Sequence, residues 1–182
     1  MSRFAPSRFL AAALALLLGV ASASAQAIIG NPKPQFEISG WSYKLLGQDV
    51  HGYTCQTQCV PGSNVSYRWY GPDFNTSMTV AQFREQQGQA AKMLQERLPP
   101  GSKIEIVAVT EETLDDSRIL KSQRLTTLAD GRMQHVISSF VFGPGTPFSL
   151  ISSGDDEAAA KANFAQFLAA TMPVARMGPT NR

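Results

Sequence analysis

A chain of 182 residues with 43% hydrophobic and 16% charged side chains is long enough for one compact domain and too apolar for general disorder. Its formal charge of +2 comes from Arg3 and Arg8; without them, basic and acidic residues balance at 14 each. That leaves no basic stripe able to displace phosphate counterions, which excludes nucleic-acid binding as a reading.

Arg3 and Arg8 precede the apolar run from Phe9 to Val20, and the small residues Ala21 to Ala25 follow it. This is the pattern of a secretory signal peptide over residues 1–25, cleaved after Ala25. An uncleaved anchor would need a longer apolar stretch, and no Cys follows to carry a lipid. No later segment approaches transmembrane length. The expected mature chain is periplasmic or secreted and has no membrane span.

Residues 26–34, with Gly30, Pro32 and Pro34, read as an extended lead-in. Phe36, Ile38 and Gly40 alternate with Glu37, Ser39 and Trp41 as in a first strand, and Trp41 to Leu46 continues it or starts its partner. The only two cysteines, Cys55 and Cys59, lie in His51-Gly-Tyr-Thr-Cys-Gln-Thr-Gln-Cys59. In an exported chain the plain reading is a disulfide that pins a local turn. The alternatives are redox use and metal binding. Cys-x-x-x-Cys is not the spacing of thiol oxidoreductases, and a closed zinc site wants four ligands where only His51 and the distant His135 are on offer. No metal and no cofactor is expected.

Pro61-Gly62-Ser63 breaks the chain before Val65–Tyr70, a strand with Val65, Tyr67 and Trp69 on one face and Arg68 and Tyr70 on the other. Trp41, Tyr53, Tyr67, Trp69 and Tyr70 together form a candidate binding surface, against the alternative that they are core and cross-strand pairs. Thr79 and Gln82 are spaced as a capping box that opens a helix running towards Leu98, with Val80, Phe83, Ala90 or Ala91, Leu94 and Leu98 as its apolar stripe. Lys103–Val109 is β-branched on both faces and reads as a central strand. Glu111 to Asp116 reads as a solvated acidic turn that lacks the ligand spacing of a calcium loop.

From Arg118 to Ser152 the chain reads as a three-stranded meander with turns at Asp130-Gly131 and Gly143–Pro147. Met133, His135, Ile137 and Val141 share one side of its middle strand, and Val136, Phe140 and Phe142 the other. Both sides are apolar, so this strand belongs inside the sheet with a helix on at least one face. Asp155, Asp156 and Glu157 open a last helix whose stripe is Ala160, Phe164, Phe167, Leu168 and Thr171. Pro173 is expected to end it, leaving residues 173–182 as a flexible tail.

The fold class is therefore α+β: a single domain over 35–172, with a mostly antiparallel sheet and a C-terminal meander packed by two amphipathic helices. The stretch Phe36-Glu-Ile-Ser-Gly-Trp41, the helix from Thr79, and the closing hairpin followed by the helix ending Phe164-Ala-Gln-Phe-Leu168 resemble the PsbP-like fold, which includes small exported bacterial proteins. The resemblance implies a non-catalytic accessory factor that contacts a protein partner in the cell envelope, and it carries over no site residue. The residues themselves contain no nucleophile elbow, no His-Glu-x-x-His and no phosphate loop. The alternative is a small-ligand-binding protein or a hydrolase built on His51 or His135. A concave pocket in which one of these histidines faces a carboxylate would favour it.

Overall fold

The structure is a computed structural model, and it describes residues 34–178 except Gln48. The leader over 1–25, nearly all of the lead-in and residues 179–182 lie outside the described residues. In chain order the elements are β1 (Trp41–Leu45), β2 (Val50–Cys55), β3 (Asn64–Trp69), α1 (Val80–Gln95), β4 (Lys103–Leu114), β5 (Ser117–Thr127), β6 (Met133–Phe142), β7 (Phe148–Gly154) and α2 (Glu157–Met177). One seven-stranded sheet runs β1-β2-β3-β7-β6-β5-β4, and every neighbouring pair is antiparallel. After β3 the chain crosses one face as α1 and restarts at the far edge with β4. The meander then returns strand by strand until β7 pairs with β3.

Side-chain alternation sorts the core into two layers. Ile119, Ile137, Val141, Phe148 and Leu150 join Val65, Tyr67 and Tyr53 beneath Ala160, Phe164, Phe167 and Leu168 of α2. On the other face Leu120, Phe140 and Phe142 pack with Phe83 of α1 and with Tyr70, Phe74 and Met78 of the preceding loop. Arg118 ties that loop down, donating to the carbonyls of Thr76 (2.7 Å) and Met78 (2.9 Å) with its guanidinium 4.8 Å from the Phe142 ring centroid. β6 therefore lies inside the sheet with apolar layers on both faces, as its pattern requires.

Both helices start on side-chain caps. The Gln82 amide donates to Thr79 Oγ1 (3.2 Å) and the Thr79 amide donates to Gln82 Oε1 (2.8 Å), closing the capping box. The Asp156 carboxylate accepts from the Ala159 amide at 2.6 Å. Cys55 and Cys59 form a disulfide with Cα atoms 5.9 Å apart. The loop it closes packs on the 38–40 turn, where the Gly40 carbonyl accepts from the Gln56 and Thr57 amides.

Four expectations are corrected. Residues 36–40 form a turn rather than a strand: Gly40 has φ 82° and the Trp41 amide donates to the Ile38 carbonyl, so the first strand begins at Trp41. β4 is an edge strand, and its register shifts between Ile106 and Ala108, leaving Val107 60% exposed. A β-bulge and flanking charges at an edge hinder pairing with other chains. The acidic run is mostly strand, because only Asp115 and Asp116, at φ 44° and 58°, make the reversal, while Glu111 and Glu112 pair with Arg118 and Lys121. Finally, Pro173 lies inside α2, which continues to Met177 with Ala175 buried. The Ala175 carbonyl accepts from the Thr146 and Gly178 amides, and these tertiary bonds hold the last turn that proline weakens.

Candidate functional site

The aromatic residues chosen from the sequence do not make one surface. Tyr53 and Tyr67 are only 2% and 1% exposed. Phe36 stacks on both, at 5.5 Å and 5.4 Å, and the Tyr53 hydroxyl donates to the Phe36 carbonyl at 2.8 Å. Burial raises the pKa of both tyrosines far above the ordinary range, so they remain neutral. Trp41 meets Phe167 edge-on at 4.9 Å, and Trp69 meets Tyr67 and Phe148 in the same way at 5.3 Å and 5.4 Å. Tyr70 belongs to the opposite layer, stacked on Phe74 at 4.0 Å with its hydroxyl donating to Ser149 Oγ. Four of the five thus pack towards α2, two of them only half-buried, and the fifth, also half-buried, packs towards α1.

His51 is built into the same packing. Its ring lies 4.6 Å from that of Tyr67 and nearly parallel to it, and Nδ1 is 3.0 Å from the Tyr43 hydroxyl. Burial lowers its pKa, against a smaller opposing effect of Asp49. The folded chain therefore resists a proton that the unfolded chain accepts below about pH 6.5, so stability falls as pH drops through that region. Chemical denaturation between about pH 7.5 and 5 should show this slope, and it should flatten in His51→Phe, which keeps a ring on Tyr67 but cannot titrate. An unchanged slope in the variant would assign the effect to other groups.

Concave space opens where α2 stops covering the sheet. The helix packs over β7, β6 and β3, so on its face β5 and β4 extend beyond it. The larger lobe, about 310 Å³, is bounded by Glu112 and Lys121 of the sheet and by Phe164, Ala165 and Leu168 of the helix. The smaller lobe, about 180 Å³, is bounded by Val107, Leu125, His135, Glu157 and Ala160. Gln123, Ile137 and Lys161 line both lobes, so the two form one cleft.

The floor of the cleft is apolar and its rim is charged but internally paired. Lys121 is bonded to Glu112 across the strands, and Lys161 Nζ is 2.6 Å from Glu157 Oε1 one helical turn away. The Lys161 hydrogen bond and charge hold the Glu157 carboxyl below the usual carboxylate range, and His135 adds a smaller effect in the same direction. None of the residues that line either lobe is a serine, threonine or cysteine. His135 lines the smaller lobe together with Glu157, whereas His51 is held against two tyrosines.

From the sequence, His135 was a candidate, but Gln123, Lys161 and the Glu112–Lys121 pair were not. Lys161 had one visible signal, its i,i+4 spacing to Glu157, which reads as ordinary surface pairing. What gathers these residues is the sideways offset of α2 on the sheet, and no local pattern encodes that offset.

The chain matches no family model and no curated protein. Among solved structures it is similar to cyanobacterial PsbP (CyanoP) from Synechocystis sp. PCC 6803, in solution, with a TM-score of 0.52 and 12% identity over 70% of this chain and 78% of that one. The chain has a PsbP-like fold. At 12% identity the likeness concerns fold alone. Among the described residues no helix is long and apolar enough to cross a membrane.

Proposed function

We propose that this chain is an exported, periplasmic, non-catalytic accessory domain that docks a protein partner in the cleft beside α2. The observation that carries the reading is the cleft itself: two small open lobes with an apolar floor, divided by Lys161 and rimmed by ion pairs that are already satisfied. The larger lobe falls within the roughly 300–1,000 Å³ of small-molecule pockets, but both lobes lie open to solvent where such pockets enclose most of their ligand. Two shallow lobes suit a pair of apolar anchor side chains on a partner's surface. The leader pattern and the Cys55–Cys59 disulfide are in keeping with an oxidising compartment outside the cytoplasm.

A photo-crosslinking side chain placed at Ala165, exposed on α2, is expected to give one discrete protein adduct in the host, whereas the same group at Gln86, exposed on α1, gives none. Ala165→Trp fills the larger lobe from outside the core and should weaken the purified adduct partner by about 30-fold or more. Equal adducts from both positions, or an affinity unchanged by Ala165→Trp, would defeat the reading.

The position of His135 near Glu157 in the smaller lobe favours a second reading, acid–base chemistry on a small ligand. Turnover of an ester or phosphoester that is lost in His135→Ala would replace the docking proposal.

A further inference from the structure

A different feature lies on the α1 face of the sheet. Arg124, in the middle of β5, is 8% exposed, and among the described residues nothing accepts a hydrogen bond from its buried Nε. Its cross-strand neighbours are Val136 and Ile106. Around it on the same face stand Ser122, Thr126, Ser138 and, one strand further, Ser153, all buried and uncharged. Ser122 Oγ donates to Gln87 Oε1 at 3.1 Å, which sets α1 in register over β5. Beyond Gln87 the helix buries Ala90 and Leu94, which carry no charge. Acidic side chains on the neighbouring elements are engaged elsewhere: Asp130 with Arg132, Glu105 with Lys103, Glu111 with Arg118, and Glu85 of α1 with Gln89. Burial alone lowers the Arg124 pKa, with no carboxylate acting against it.

A guanidinium cannot shed its proton to escape burial as a lysine can, and an unpaired buried charge is strongly destabilising. In a neutral, hydroxyl-rich layer the compensating charge has to come from outside the described residues. We propose that Arg124 is the anchor of an oxyanion site between α1 and the sheet, taking a phosphate or carboxylate group by its planar fork of N–H donors. The short side chains around it leave the fork as the dominant polar feature, and the serine and threonine hydroxyls supply secondary contacts. Arg124 also borders the smaller lobe of the cleft, but strand alternation sends its side chain to the α1 face, and the site does not depend on the docking proposal.

Thermal denaturation of the purified protein in sodium phosphate, sodium acetate and sodium chloride at matched ionic strength tests the proposal. A saturable rise of about 5–10 °C at 100-fold excess over Kd is expected in phosphate or in acetate, and none in chloride. A response to phosphate alone identifies a phosphate site, and a response to acetate alone a carboxylate site. Arg124→Met keeps the volume without the charge, so in chloride it should melt at or above the native temperature while losing the oxyanion response. Arg124→Lys should retain only a weak response. Should Arg124→Met not fold, equilibrium dialysis of labelled phosphate and acetate against the native protein must still give one site per chain. Equal oxyanion shifts in native and Arg124→Met, or no saturable shift and no stoichiometric binding in the native protein, would overturn the proposal.

Discussion

Phe167→Ala is expected to lower stability by about 3–5 kcal/mol and the melting temperature by roughly 8–16 °C. Phe167 is fully buried and joins three parts of the chain that are far apart in sequence. Its ring meets Trp41 of β1 at 4.9 Å, Tyr53 of β2 at 5.0 Å and Phe36 of the entry turn at 6.2 Å. Truncation removes those contacts and leaves a cavity that stacked, hydrogen-bonded rings cannot collapse to fill. The near-ultraviolet signal of Trp41 should broaden as stability falls. Phe167→Leu, which restores most of the volume, should recover more than half of the loss. Since whole domains have only about 5–15 kcal/mol, the alanine variant should be partly unfolded at modest denaturant. A loss below about 1 kcal/mol would mean that α2 is held by something other than this contact.

Gly145→Ala is expected to cost about 2–4 kcal/mol, through a separate mechanism. Gly145 has φ 112°, in the region that side chains avoid, and a Cβ there would run into the Ala175 carbonyl. That carbonyl is the acceptor for the Thr146 and Gly178 amides, so the substitution strains the β6–β7 turn and also pushes away the last turn of α2. Amide hydrogen exchange offers a readout that a general loss of stability would not mimic: protection should fall first at Thr146 and at the C-terminal turn of α2. Gly131→Ala is the control. It shares a positive φ, 83°, but its added Cβ meets nothing within 4 Å, so it should show the conformational strain without the collision.

These two positions show different degrees of legibility. Phe167 stands in the helical stripe Ala160, Phe164, Phe167, Leu168 and Thr171, and all five are buried in the structure. Periodicity is enough to mark it as core because an amphipathic helix has one apolar side and must bury it. Gly145 looked like any turn glycine. Its sensitivity comes from Ala175, thirty residues later, approaching its α-carbon, and contacts of that kind leave no trace in composition.

The same distinction runs through the molecule. By itself the sequence determined what depends on neighbouring residues: the meander with its Asp130-Gly131 turn, the Thr79 capping box, the Cys55–Cys59 link, and the antiparallel α+β class that follows from their order. These depend on backbone sterics, on hydrogen bonds within a few residues and on two-fold or 3.6-fold repetition, all of which are written locally. Only the tertiary structure decided that β4 is an edge and not a centre, that Pro173 is carried inside a helix, and that Tyr53 and Tyr67 are core while Tyr70 faces the other way. It also decided that α2 stops short of β5 and so opens a cleft around Ile137 and Lys161. Apolar β-branched residues read alike in the middle and at the margin of a sheet, because alternation reports which residues share a face and not what lies across from it. Strand order and the sideways seat of a helix are set by the sum of many distant contacts, and that sum exists only once the chain has closed on itself.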